Sequence, residues 1–168
     1  TFRIRENRFT QIIQTLVNNE ALANIIDEWD IAKYLLLGKS DIKNDVIKAI
    51  CLDVFSRYKH DFLIYPAAVK MHHNYIGGLA YHTLTMCDLA KAFSGIYDCI
   101  DLDLLIAGAL LHDASKIIEF KGPTDSEYSI KGQLLGHLVL GAIEIEKTAE
   151  RLGLIEAEEV MLLQHMLI

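Results

Sequence analysis

The chain is short of the features that would place it in a membrane, a secreted scaffold or a broad nucleic-acid binder. Two prolines in 168 residues leave little to interrupt a succession of helices. Although 52% of the residues are apolar, no uninterrupted apolar run approaches the length of a membrane span. The three cysteines, Cys51, Cys87 and Cys99, are an odd number with no CxxC spacing. That argues against a disulfide framework or a zinc-thiolate site, and reads as reduced thiols in or near the core of a cytoplasmic protein. Positive charge is scarce too: 16 Lys and Arg against 23 Asp and Glu give a net charge of −7. Such a balance opposes binding nucleic acid by bulk electrostatics, while leaving room for a local basic path. The N-terminal Thr1-Phe2-Arg3-Ile4-Arg5 leads straight into polar, helix-like sequence and shows no signal peptide. A chain that opens on Thr and closes on the apolar helical pattern from Val160 to Ile168, without a stop signal, reads as a fragment.

What is present is helix after helix. Residues 6–17 place Phe9, Ile12, Ile13 and Leu16 on one face, and residues 20–36 carry Leu22, Ile25, Ile26, Trp29 and Ile31. After Gly38-Lys39-Ser40, with Ser40 as a cap, a third helix is expected to run to about Tyr58 on Ile42, Val46, Ile47, Ile50, Val54 and Phe55. A fourth is expected over residues 78–93, a fifth over residues 102–118 with Asp101 as its cap, a sixth over residues 134–152 and a seventh from about Glu156. Between the fifth and sixth, Gly122-Pro123-Thr124-Asp125 sits among β-tolerant residues and suggests a short hairpin. The fold class is all-α, a helical bundle with one short β-hairpin insertion.

The residues that stand out chemically are His112 and Asp113, at the end of the run Leu102-Asp103-Leu104-Leu105-Ile106-Ala107-Gly108-Ala109-Leu110-Leu111. A helix greasy on nearly every face is a central, buried one. A carboxylate taken into such a place costs several kcal/mol unless it is paired or bound to a metal. His82 and His137, each expected on a different helix, are the natural further ligands. Imidazole with carboxylate suits manganese, iron, cobalt, nickel or zinc more than magnesium or calcium. Adjacent helical residues point about a hundred degrees apart, so His112 and Asp113 can share one cation only near a helix end or cleft, or else bridge two. Any one of these histidines alone would be a hydrogen-bonded core residue; the ordered set is the specific signal. Lys116 shares a helix face with this pair and can hold a phosphate oxygen, or can be a solvated lysine near a helix end. His72-His73-Asn74-Tyr75, just before Gly77-Gly78, offers His73 and Tyr75 as platforms for a base, or is a packed loop. His60 reads as a surface residue and His165 as a core histidine.

These residues resemble the HD-domain metal-dependent phosphohydrolase superfamily, whose signature is a His, then a His-Asp pair, then a distant Asp. The stretches Tyr65-Pro66-Ala67-Ala68, His72 to Thr83, Ala107 to Asp113, Glu127 to Gly132 and Leu135-Gly136-His137 are similar to the catalytic domain of YhaM-type 3′-5′ exoribonucleases. The resemblance implies an HD domain over residues 60–168, without its C-terminal part, after a helical lead-in of residues 1–59. It implies 3′-end hydrolysis of single-stranded RNA, with DNA as a further substrate, by a metal-activated water. The metal positions would be His82, His112, Asp113 and His137, with Asp113 and Lys116 catalytic and Lys116, His73 and Tyr75 on the substrate. The cofactor would be one or two divalent transition-metal ions, manganese first, then cobalt, iron, nickel or zinc. The partner would be a single-stranded nucleic acid or nucleotide, with no membrane and with a homo-oligomer compatible. The rival readings are an HD phosphohydrolase of free nucleotides, and a relaxase-type or degenerate HD module that serves binding or assembly. The family's further His-His pair and closing Asp would fall beyond Ile168, and no OB-type module is legible in residues 1–59.

Overall fold

The structure, a computed structural model, describes residues 42–68, 75–124 and 127–168. The helices expected over residues 6–17 and 20–36, the Ser40 cap and His73 lie outside the described residues. The described chain folds as α1 (Asp45–Arg57), α2 (Lys59–Ile64), α3 (Gly78–Ser94), α4 (Leu102–Leu111), α5 (Lys116–Glu119), α6 (Ile130–Leu152) and α7 (Glu158–Leu167). The all-α expectation is met: no strand occurs among the described residues. No helix among them is long and apolar enough to cross a membrane.

Helix α1 starts where Asn44 accepts hydrogen bonds from the amides of Val46 and Ile47, both at 3.0 Å. Its buried residues Ile47, Ile50, Cys51, Val54 and Phe55 recur at helical spacing on one stripe. Phe55 meets Phe62 of α2 edge to face, with ring centroids 4.9 Å apart. Asp101 caps α4 as its sequence suggests, accepting from the Leu104 amide at 3.0 Å. Ile106, Ala107 and Leu110 of α4 are fully buried, because α1, α3 and α7 all pack against this helix.

Polar staples lock the surrounding helices in place. The Lys43 and Asn44 amides donate to Asp103 at the start of α4, and the Asn44 side chain donates to Glu159 of α7. At the other end of α1, Arg57 donates to Glu144 at 2.9 Å and to Thr148 at 2.7 Å on α6. Tyr58 adds a hydroxyl donor to the same Glu144 carboxylate at 2.8 Å.

Two expectations need correction. The hairpin is one antiparallel bridge between Phe120 and Tyr128, flanked by Lys121 N–H to Glu127 and Ser129 N–H to Glu119 bonds. Phe120 directly follows α5 and Ser129 already caps α6, so no length of extended chain is left to make a ladder. The single helix expected over residues 102–118 is two pieces, α4 and α5, joined by a tight turn at His112–Ser115.

Candidate metal centre

The tight turn gives adjacent residues a common focus. Helix α4 stops at Leu111, and the amides of Ala114 and Lys116 bond three residues back, to Leu111 and Asp113. The α-helical path ends at this turn, and it is at this helix end that the two adjacent side chains reach one site. His82 arrives from the first turns of α3. Gly77 enters that helix with φ 81°, a left-handed conformation suited to glycine.

The side chains converge. His82 Nε2 lies 3.2 Å from His112 Nε2, and these two nitrogens lie 3.4 and 3.3 Å from Asp113 Oδ2. Two ligands bonded to one ion at about 2.1 Å stand about 3.0 Å apart in octahedral and about 3.4 Å apart in tetrahedral geometry. The three separations therefore have the size of the edges of a coordination shell. His82, His112 and Asp113 form a group whose ligand atoms all lie within 4.8 Å of one another.

The tautomers strengthen the case. His112 Nδ1 lies 2.8 Å from the Ala109 carbonyl, which only accepts, so Nδ1 carries a proton and Nε2 is the nitrogen presented to the cluster. Asp113 is buried, with 3% of its surface exposed. Burial alone would push its carboxyl up; the hydrogen bond and charge of His112, and then those of Lys116, outweigh it and hold the group well below the usual carboxylate range. The donor set fits a divalent metal of the imidazole-carboxylate type.

His137 faces the other oxygen of the same carboxylate, Nε2 being 3.4 Å from Asp113 Oδ1. Its position depends on a break inside α6. Gly136 has φ 72° and ψ 163°, a conformation essentially confined to glycine, so the helix is dislocated one residue before the histidine. The freed His137 amide then donates to Glu119 Oε1 at 3.0 Å, and its Nδ1 sits 3.0 Å from the same oxygen. Glu119 thus fixes the ring with Nε2 toward the site, the usual service of an outer carboxylate behind a metal-binding histidine. Gly132 permits the close fit, since a Cβ there would lie 2.2 Å from the Glu119 carbonyl oxygen.

Lys116 also reaches the cluster. Its Nζ donates to Asp113 Oδ2 at 2.8 Å and to the Ala67 carbonyl at 2.6 Å, tying the Tyr65-Pro66-Ala67 segment to the site. Glu119 is not singled out by the sequence; its spacing three residues after Lys116 was the available helical signal. Tyr75 is partly buried. His60 is exposed as expected, whereas His165, expected in the core, is exposed because α7 buries Val160, Leu163 and Leu167 instead. Cys51 and Cys87 are buried and Cys99 is exposed, so the expectation of three thiols in or near the core holds for two.

A histidine-aspartate cluster held by a buried helix end and two flanking helices defines a helical metal-site domain. The family model described as HD domain matches residues 79–166, and the chain belongs to that family. Membership of that family points to a metal-dependent phosphohydrolase, and His82, His112 and Asp113 form a group that could hold a divalent ion. No solved structure matches the chain.

Proposed function

We propose that this protein is a metal-dependent phosphodiesterase that shortens single-stranded RNA from its 3′ end, as the YhaM-type exoribonucleases do. The carrying observation is the convergence of two imidazole nitrogens and one buried carboxylate at separations of 3.2–3.4 Å. A bound divalent cation, manganese first among the candidates, supplies Lewis acidity toward a phosphoryl oxygen and an attacking water. His82, His112 and Asp113 hold it, and His137 extends the site past the second Asp113 oxygen, where a second ion would be accommodated. Asp113 orients the water through the oxygen it does not give to Lys116. Lys116 offsets charge on the non-bridging phosphoryl oxygens, with the Ala67 carbonyl holding its ammonium in place. His73 and Tyr75 are proposed on the substrate side. The catalytic unit is proposed over residues 60–168, with α1 (Asp45–Arg57) packed into the same core, in a cytoplasmic protein consistent with free thiols.

The test is a time course on 3′-labelled and 5′-labelled single-stranded RNA with added manganese, for wild type and Asp113→Ala. Stepwise loss from the 3′ end, abolished by the substitution, is the expected result. Equal activity in the variant refutes the assigned metal role. Turnover of a mononucleotide panel with the RNA left intact moves the assignment to a nucleotide phosphohydrolase.

A further inference from the structure

An apolar groove continues directly from the metal cluster. On α3, Met86, Leu89 and Phe93 follow His82 at helical spacing on the same face; on α4, Ala109 lies one turn before His112. These residues, His112 itself and Met166 of α7 line a cavity of about 470 Å³ that is open along one side and almost wholly apolar. Phe93 of its lining is 45% exposed, and beside the cavity Tyr97, 53% exposed, stacks nearly parallel on that ring, at 19° with centroids 6.3 Å apart. At 1.5 Å per residue, Phe93 lies about 16 Å along α3 from His82.

Four properties of this groove select its occupant. It shares His112 with the cluster, so a phosphoester bound there has its remaining parts directed along it. It lacks charged lining, so it suits faces of rings and not further phosphates. Its open side lets polar ring edges stay in water while the faces stack, an arrangement that a lone hydrocarbon chain would not need. A reach of about 16 Å exceeds one nucleotide and matches a strand of two or three.

We propose that the groove is a base-binding subsite, taking the unpaired bases of a strand whose phosphodiester lies at His82, His112 and Asp113. This rests on the phosphodiesterase reading and adds the substrate's form: an oligonucleotide with accessible bases, held by stacking on Phe93 and Tyr97 and not by a basic surface. Stacking on an aromatic side chain is tolerant of sequence, so the subsite holds every base to a similar degree.

The experiment measures binding and turnover separately, on the full chain with manganese. Fluorescence anisotropy of 5′-labelled hexauridylate, and of an abasic chain of the same length, is compared for wild type, Phe93→Ala and Tyr97→Ala. Both side chains are about half exposed, so both variants are expected to fold, and circular dichroism checks this. Loss of one base stack predicts about tenfold weaker binding of hexauridylate in each variant, with the abasic chain unaffected. Hydrolysis of bis(p-nitrophenyl) phosphate, which is too short to reach Phe93, is expected to be unchanged. Equal hexauridylate binding in wild type and both variants overturns the subsite while leaving the phosphodiesterase reading intact. Absence of diester and RNA hydrolysis in wild type overturns that reading, and the binding comparison still decides the subsite. Tighter binding of an alkyl phosphate than of hexauridylate, competitive with it, overturns the proposal in favour of an acyl-chain site.

Discussion

Replacing Glu119 by Gln is the most discriminating perturbation of the metal centre, because it removes one charge and almost no volume. Glu119 is 6% exposed, and one of its oxygens receives both the His137 amide and the His137 ring at 3.0 Å. Glutamine retains an acceptor oxygen at that point, so the geometry can persist while the charge assistance is lost. A hydrogen bond to a charged group contributes about 1.5–3 kcal/mol against about 1 kcal/mol for a neutral one. Two such bonds therefore weaken by about 2 kcal/mol together, or roughly 30-fold, inside the 10–100-fold range for outer partners of metal-binding histidines. Titration calorimetry with manganese on wild type and Glu119→Gln reads this directly, with thermal unfolding of the metal-free proteins as the check that folding is retained. Manganese affinity within twofold of wild type, in a variant that folds normally, would refute the reasoning and remove His137 from the site.

Further expectations concern the frame around the centre. Gly136→Ala puts a Cβ on a backbone with φ 72° and should cost about 1–3 kcal/mol in chemical denaturation, together with weaker manganese binding. Burial raises the Glu144 carboxyl, but hydrogen bonds from Arg57, Tyr58 and Lys147 prevail and hold it below its ordinary 4.5. Its contribution is therefore complete above that ordinary value and disappears as pH falls through the lower folded value. Glu144→Gln should lower stability by about 2 kcal/mol at neutral pH and flatten the acid limb of a stability–pH curve. Burial pushes the Cys51 thiol up to about 12, with Cys87 adding to the effect, whereas Cys99 is exposed. Mass spectrometry after brief alkylation at pH 8 should find Cys99 modified and Cys51 unmodified until denaturant is added.

Much of the centre was legible in the residues because burying charge in an apolar setting leaves few resolutions. The run before His112 is greasy all round, which correctly announced a central helix. The same uniformity hid where that helix stops, since periodicity carries no phase when every face is apolar. The turn at His112–Ser115 is thus invisible to pattern, although the need for a helix end near His112 and Asp113 followed from their adjacency. Asp101 was readable as a cap because it immediately precedes the run. The break at Gly136 was not, as an isolated glycine inside a helical pattern is usually tolerated in place. Glu119 escaped notice because its role depends on that break, which alone turns the His137 amide toward it. His165 misled for a simpler reason: α7 has apolar residues on more than one face, and only tertiary packing chooses between them.

The dislocation in α6 has a mechanical meaning for anyone who alters this protein. Behind it, the shaft of the helix is bolted to α1 by Arg57, Glu144 and Thr148. Ahead of it, Ile130, Leu134 and Leu135 stand in solvent on a short, separately seated piece. A point change, a crosslink or a docking protein at that front piece therefore reaches the histidine by two routes, through Gly136 and through Glu119, against whose backbone Gly132 packs.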